Sequence, residues 1–228
     1  LSHADQNAAL AADRARAQEL VPVSRETRER LDRLVALLLQ WQQTRNLIAA
    51  STIPQIWTRH IADSLQLLDL APAAKLWVDL GSGGGFPGLV LACALAERAG
   101  ARIHLVESTA KKCAFLQAAI EALQLPAEVH CQRVENFIPA FPKADVVTAR
   151  ALAPLPKLLA LAFPLLKKGT VGLFLKGQDV GAELTEAAKY WTIEHKLMPS
   201  RTDERARIVV VARLESRKTT AKAQRPRR

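Results

Sequence analysis

The segment Asp79-Leu80-Gly81-Ser82-Gly83-Gly84-Gly85-Phe86-Pro87-Gly88 limits the folds open to this chain more than any other. It follows directly on a short apolar run, Lys75 to Leu80, and leads into Gly88 to Ala99, which reads as a helix. Glycines at 81, 83 and 85 let the backbone turn tightly and approach a ligand without Cβ clashes. Strand, glycine-rich turn and helix in that order open a nucleotide-binding α/β unit. The pattern continues downstream, with strands expected over 102–107, 128–131, 144–149 and 170–175 and helices over 109–123, 154–165 and 180–190. Strands over 191–198 and 207–214 have no helix between them, which places an antiparallel strand at one edge. The expectation is a Rossmann-like α/β fold: a mostly parallel seven-stranded sheet with both faces covered.

The first 70 residues read differently. Residues 2 to 19, rich in Ala with Asp, Arg and Gln, should be helical but weakly anchored. Val21-Pro22-Val23 breaks them off, and Ser24 stands as an N-cap without the acidic partner of a capping box. Leu31, Leu34, Val35, Leu38 and Trp41 then keep helical spacing to about Leu47. A second helix is expected between Pro54 and Pro72, through His60, Ser64 and Leu68. The organisation is therefore a helical extension over 1–72, a Rossmann-like domain over 73–214 and a basic, disordered tail over 215–228.

The net charge of +10 is concentrated at that end: Arg213 to Arg228 holds seven basic residues and one acid, Glu215. Such a tail contacts phosphates non-specifically or only aids solubility. The longest apolar stretch, Phe86 to Ala96, falls short of the ~20 residues of a membrane span. No signal peptide is visible. Cys93, Cys113 and Cys131 form no CxxC pair, so reduced, mostly buried thiols and a cytoplasmic location are expected. Metal-ligand spacing is absent, and His104, His130 and His195 read as packed sheet histidines.

The loop also bears on the cofactor. Gly81, Gly83 and Gly85 have GxGxG spacing, with Phe86 in the place of the third glycine of the dinucleotide fingerprint. NAD needs a pyrophosphate at the helix N-terminus. S-adenosyl-L-methionine (AdoMet) has none, presenting a sulfonium and an amino-acid end that an acid at Asp79 can help position. Glu107, at the end of the second strand, can accept both ribose hydroxyls, a role that suits either cofactor. Strand, Asp79, GxGxG, helix, strand and Glu107 together favour AdoMet.

The sequence resembles the bacterial small-subunit (16S) ribosomal RNA guanine-N7 methyltransferases, the glucose-inhibited division protein B family. The matching residues are Trp41 with Arg45-Asn46-Leu47, Arg59-His60 with Asp63-Ser64-Leu65, the Asp79–Gly88 loop, and Val106-Glu107-Ser108. They continue with Lys111-Lys112, Phe115-Leu116, Arg133-Val134-Glu135, Thr148-Ala149-Arg150-Ala151 and Leu175-Lys176-Gly177. The resemblance spans about residues 30 to 212. It implies a class I AdoMet-dependent methyltransferase fold with a helical N-terminal extension, and methyl transfer to N7 of one guanine in 16S ribosomal RNA. Two departures touch RNA docking: Gln43-Thr44 where the family has a lysine, and Gln132-Arg133-Val134-Glu135 in place of Gly-Arg-Ala-Glu.

Guanine N7 carries a lone pair and no proton, so its methylation requires positioning and no general base; no catalytic acid–base pair is nominated. Cofactor contacts are expected from Asp79, Gly81, Gly83, Gly85, Phe86 and Glu107, with Val134 and Glu135 at the adenine edge. Arg150, at the C-terminal edge of the sheet, is the first candidate for the target guanosine or its phosphate; a salt bridge from the strand end is the alternative. Arg59 and His60 on the extension, Lys176 on the fifth strand and Arg133 complete the RNA-contact candidates, with an Arg59–Asp63 ion pair as the structural alternative. Lys111 and Lys112 sit at a helix start, where cations are unfavourable, and suit an RNA contact. With an aromatic content of 5% and no RNP-like aromatic stripe, a stacking platform for single strands is not the expected mode. A monomer without metal, acting on RNA in the small ribosomal subunit, is the expected form. The competing readings are a same-fold methyltransferase for a small molecule or protein, a non-catalytic RNA-binding module and an NAD oxidoreductase.

Overall fold

The computed structural model describes residues 3–217. Helices α1 (His3–Leu20) and α2 (Arg25–Gln42) come first, then a 3-10 segment (Ala50–Gln55) and one helical run. That run begins as a π-turn (Trp57–Ala62), continues as α3 (Asp63–Leu65) and tightens to a 3-10 turn (Gln66–Leu70). β1 (Leu76–Leu80), α4 (Gly88–Leu95), β2 (Arg102–Glu107), α5 (Ala110–Leu123), β3 (Ala127–Cys131), α6 (Val134–Phe137) and β4 (Val146–Arg150) follow. α7 (Leu155–Leu166), β5 (Val171–Lys176), α8 (Val180–Ala187), β6 (Trp191–Pro199) and β7 (Arg207–Ser216) close the chain. The sheet order is β3-β2-β1-β4-β5-β7-β6, parallel except for β7, which is antiparallel to both neighbours. This is a class I, Rossmann-like methyltransferase fold. Its strand order reverses between β1 and β4, and the crevice above their C-terminal ends is where such sheets bind ligands.

Local chemistry explains the elements. Ser24 caps α2, its hydroxyl accepting from the Thr27 amide at 3.1 Å. Leu31, Leu34, Val35 and Leu38 are buried at helical spacing, each stabilising the fold by roughly 1.5–3 kcal/mol. α4 is apolar all round (Gly-Leu-Val-Leu-Ala-Cys-Ala-Leu) because it lies between the sheet and the N-terminal helices, packing on β2, α2 and α3. The opposite sheet face is covered by α7 and α8, with Leu158, Leu159 and Leu165 against Val147, Phe174 and Val209. No helix among the described residues is long and apolar enough to cross a membrane.

Several expectations need correction. α2 stops at Gln42, not near Leu47, because the Gln42 carboxamide accepts from the Leu47 and Ile48 amides and donates to the Ile48 carbonyl, folding the chain back. α1 is firmly docked: Arg14 forks onto Asp32. Asp13 accepts from the Trp57 amide at 2.8 Å, the Thr58 amide at 3.2 Å and the Thr58 hydroxyl at 2.5 Å. Glu215 and Ser216, assigned to the tail, belong to β7 and pair with Thr192 and Trp191; the rest of the expected tail, from 218, lies outside the described residues. Cys93 and Cys113 are buried, but Cys131 is exposed at the end of the edge strand. His195 is exposed beside a bulge in β6, not packed.

Asp13 supplies the acceptor for two amides that open the π-turn, so Asp13→Ala leaves them without their partner. The variant should lose about 2 kcal/mol in urea unfolding, and amide exchange in α1 should rise. Unchanged stability would mean that α1 is held by its apolar contacts alone.

Candidate active site

The glycine loop is held from beneath. Asp79, next to the C-terminal end of β1, is 1% exposed. One carboxylate oxygen accepts from the Thr148 hydroxyl of β4 at 2.9 Å and the other from the Gly88 amide of α4 at 3.1 Å. A Cβ at Gly88 would lie 2.7 Å from that carboxylate and 2.1 Å from Leu105 Cδ2, so only glycine brings the helix so close. Burial, partly offset by these donors, pushes the Asp79 carboxyl up to about 6.

Above this strut, Gly81 and Gly83 have φ of +68° and +56°. Glu107 clamps the loop from the neighbouring strand: one oxygen accepts from the Gly83 amide at 3.0 Å, the other from the Thr109 amide at 2.7 Å. A carboxylate has about four acceptor sites, so each oxygen keeps one for a further donor. Gly81, Gly83, Glu107, Arg133, Val134 and Glu135 line a cavity of about 320 Å³. A larger one, of about 760 Å³, shares Gly81, Gly83, Lys112 and Ala151 with it and extends toward the N-terminal helices. Ala151 has φ of +53°, strain of a kind that gathers at functional sites.

The larger cavity brings together Arg59, His60, Asp63, Phe86, Arg150 and Lys176. Arg150 donates to the Arg59 carbonyl at 2.9 Å and to the His60 Nδ1, lies 3.5 Å from an Asp63 oxygen, and its guanidinium stands 5.2 Å from the Phe86 ring centre. The His60 ring stacks on Phe86 at 4.8 Å, with its Nε2 2.9 Å from the Thr52 hydroxyl. Arg150 can only donate, so His60 accepts at Nδ1 and donates from Nε2 to Thr52, whose hydroxyl donates in turn to the Ala49 carbonyl. A second proton on His60 would face the guanidinium; burial and then the Arg150 charge push its pKa down to about 3. Asp63 also accepts from Thr202 and Gln66, and burial raises its pKa against the Arg150 charge. Burial lowers the Arg150 pKa while Asp63 opposes the shift.

Not every expected residue reaches the cleft. Asp79 and Gly85 line neither cavity: Asp79 has both oxygens engaged below the loop, and a Cβ at Gly85 would meet Leu89 Cδ1 at 2.5 Å. Asp79 is thus a strut for the loop. Lys176 is committed to Glu183 at 2.6 Å and to the Ala153 carbonyl at 3.1 Å. Asp63 pairs with Arg150 and not with Arg59, and Arg59 forms no ion pair among the described residues. Sequence reasoning missed Asp13 and Arg16 of α1, Thr202 and Arg205 of the β6–β7 loop and Arg207 at the start of β7, all lining the larger cavity. A basic cluster at 201–207 was the one available signal for that loop.

A glycine loop at the reversal point, an acid at the end of β2 bonded to that loop and an antiparallel β7 define an AdoMet-dependent methyltransferase. An O-methyltransferase of Bacillus cereus, solved with S-adenosylhomocysteine, has the same fold at 16% identity, with TM-score 0.60 over 91% of this chain and all of that one. The chain belongs to the family described as rRNA small subunit methyltransferase G (GidB), whose model matches residues 27–209. The ribosomal RNA small subunit methyltransferase G of Bradyrhizobium sp. (strain ORS 278) is 60% identical over 209 residues, covering 91% of this chain and 94% of the relative. Its counterpart in strain BTAi1 is 61% identical over 207 residues, covering 90% and 93%.

His60 and Asp79 give opposite pH dependences. His60 goes from 6.5 unfolded to about 3 folded, so its share of stability is full above 6.5 and is lost as pH falls toward 3. Asp79 goes from 3.8 to about 6, so its share is present below 3.8 and is lost as pH rises through about 6. His60→Asn removes the first and keeps the second. The stability gap between wild type and variant, from urea unfolding, should shrink by about 1–2 kcal/mol between pH 7 and pH 5. A constant gap would contradict a neutral His60 held at both nitrogens.

Proposed function

We propose that this protein transfers a methyl group from AdoMet to N7 of one guanine in 16S ribosomal RNA, with the small ribosomal subunit as its partner. Membership of a family named for the small-subunit rRNA carries this reading. The cleft adds physical support, since Arg16, Arg59, Lys112, Arg205 and Arg207 line it beside the glycine loop, a density of cations suited to phosphates. The helical extension that precedes β1 serves as one wall of the RNA site and the Rossmann-like domain as its floor.

The residues fit the cofactor. The free acceptor capacity of Glu107 suits two ribose hydroxyls, the Gly81–Gly83 backbone lies open beside it, and Val134 and Glu135 flank the smaller cavity where an adenine edge would lie. AdoMet, when bound, supplies an electrophilic methyl on sulfur. The protein's part is to hold the guanine in line with that methyl, which is catalysis by positioning. His60 has both ring nitrogens engaged and the Asp63 oxygens are shared among Thr202, Gln66 and Arg150, so neither stands ready to take a proton. That suits an acceptor nitrogen that carries none. Of the five N–H donors of Arg150, those left over after Arg59, Asp63 and His60 contact guanine O6 or the adjacent phosphate. Arg59, Lys112 and Arg133 bind the RNA backbone, while Lys176 holds the sheet edge through Glu183.

Labelled methyl from AdoMet should appear as a single N7-methylguanine in small subunits that lack this modification. The single-turnover rate should vary less than about twofold from pH 7 to 9, because no proton is removed. Glu107→Gln should raise KM for AdoMet at least ~10-fold, with a smaller effect on kcat. Methyl on another base, or a rate climbing tenfold per pH unit, would contradict the reading.

A further inference from the structure

Away from the cleft, three metal-competent side chains converge at the edge of the sheet. His104 on β2 stands opposite Glu128 on β3, and His130 lies two residues further along β3 on the same face. His104 Nδ1 and His130 Nε2 are 2.8 Å apart, and each lies 4.0 Å from an oxygen of Glu128. All three donor atoms fall within 4.8 Å of one another. The sequence conceals this grouping because the donors come from two strands and meet only through the β2–β3 register.

We propose that His104, His130 and Glu128 form a binding site for a borderline divalent metal ion such as zinc, which ties edge strand β3 to β2. Two imidazole nitrogens and a carboxylate oxygen are a donor set that such ions favour, with the remaining position open to solvent. Donors on a tetrahedral ion with bonds of about 2.0–2.1 Å stand roughly 3.3 Å apart. The imidazoles must therefore separate by about half an ångström and the carboxylate approach by slightly more, changes within reach of side-chain rotation.

The surroundings favour the ion. The His130 ring stacks on Phe137 at 4.3 Å and the His104 ring meets Phe141 edge-on at 4.8 Å, so an apolar wall orients both imidazoles before any ion arrives. Their side chains are only 14% and 17% exposed. Glu128 also pairs with Arg102 at 3.0 Å, but both groups are about half exposed, and such surface pairs contribute little. That oxygen can thus be exchanged to the metal at small cost. β3 pairs with β2 alone and leads through Gln132 and Arg133 into α6, so the clamp also steadies the edge of the smaller cavity.

The test is titration of the full chain, first freed of metal by a chelator, with cobalt(II) alone, followed by calorimetry and visible absorption. One ion per chain is expected, with the visible d–d bands of four-coordinate cobalt(II) and no thiolate charge-transfer band. His104→Asn and His130→Asn should each weaken binding at least ~10-fold, and the exposed Glu128→Gln by a smaller factor. Cys131→Ala, which removes the nearest exposed thiol, should leave binding unchanged. Far-UV circular dichroism checks that each variant is folded, and Glu128→Gln, on the surface, gives a reading even if a histidine variant is not. No saturable binding to the wild type, binding that survives both histidine substitutions, or a thiolate band lost in Cys131→Ala would overturn the proposal.

Discussion

The site depends on a buried carboxylate. Asp79 accepts from Thr148 on one side and from the first helical amide of α4 on the other, fixing β1, β4 and the start of α4 relative to one another. Taking a carboxylate out of water costs free energy, as its raised pKa records, and the donors offset only part of that cost. What the arrangement gains is geometric. The strand ends, the chain reverses through Gly81 and Gly83, and α4 starts within contact of the strand it left. Glu107 then fixes the outer side of the same loop by taking the Gly83 amide. Held from below by one acid and from the side by another, the loop presents an ordered backbone to the cleft.

A second knot, touching the same loop at Phe86, joins the rest of the cleft. Arg150 leaves the end of β4 and reaches the π-turn, where it meets the Arg59 carbonyl and His60, while Asp63 one turn later also holds Thr202 of the β6–β7 loop. Extension, central sheet and antiparallel edge thus meet at one set of hydrogen bonds. π-turns in helices often mark functional positions, and here the turn carries Arg59 and His60 toward the cavity. Arg150 cannot be wholly free for a ligand, because the same guanidinium holds the wall. Its pairing with neutral His60 adds no negative charge beside the guanidinium, while Asp63 at 3.5 Å offsets part of its charge.

The strands, their order of appearance, the glycine loop and Glu107 were legible because each rests on a local pattern: short apolar runs, glycine spacing and an acid at a strand end. The antiparallel β6–β7 pair was legible for the same reason, as no helix separates the two strands. What stayed hidden depends on contacts distant in sequence. The docking of α1 rests on Asp13 meeting amides 44 and 45 residues away. The engagement of Lys176 by Glu183, and of Asp63 by Arg150 in preference to Arg59, follows from how strand ends and helices meet. For Asp79, sequence shows an acid beside glycines and not which way it points, so its bonds to Thr148 and the Gly88 amide stayed hidden. His104 and His130 read as packed residues, and only the strand register brings them together.

Asp79 shapes the glycine loop from beneath, and calorimetric titration of AdoMet into Asp79→Ala protein probes that role. An alanine there accepts from neither the Thr148 hydroxyl nor the Gly88 amide, whereas an asparagine could keep both contacts, its oxygen accepting from Gly88 and its amide donating to the Thr148 oxygen. At a temperature where both proteins are folded by circular dichroism, the variant should bind at least ~10-fold more weakly, the scale of a lost buried hydrogen bond. Equal affinity in a fully folded variant would contradict it, showing that the loop keeps its shape without the strut beneath.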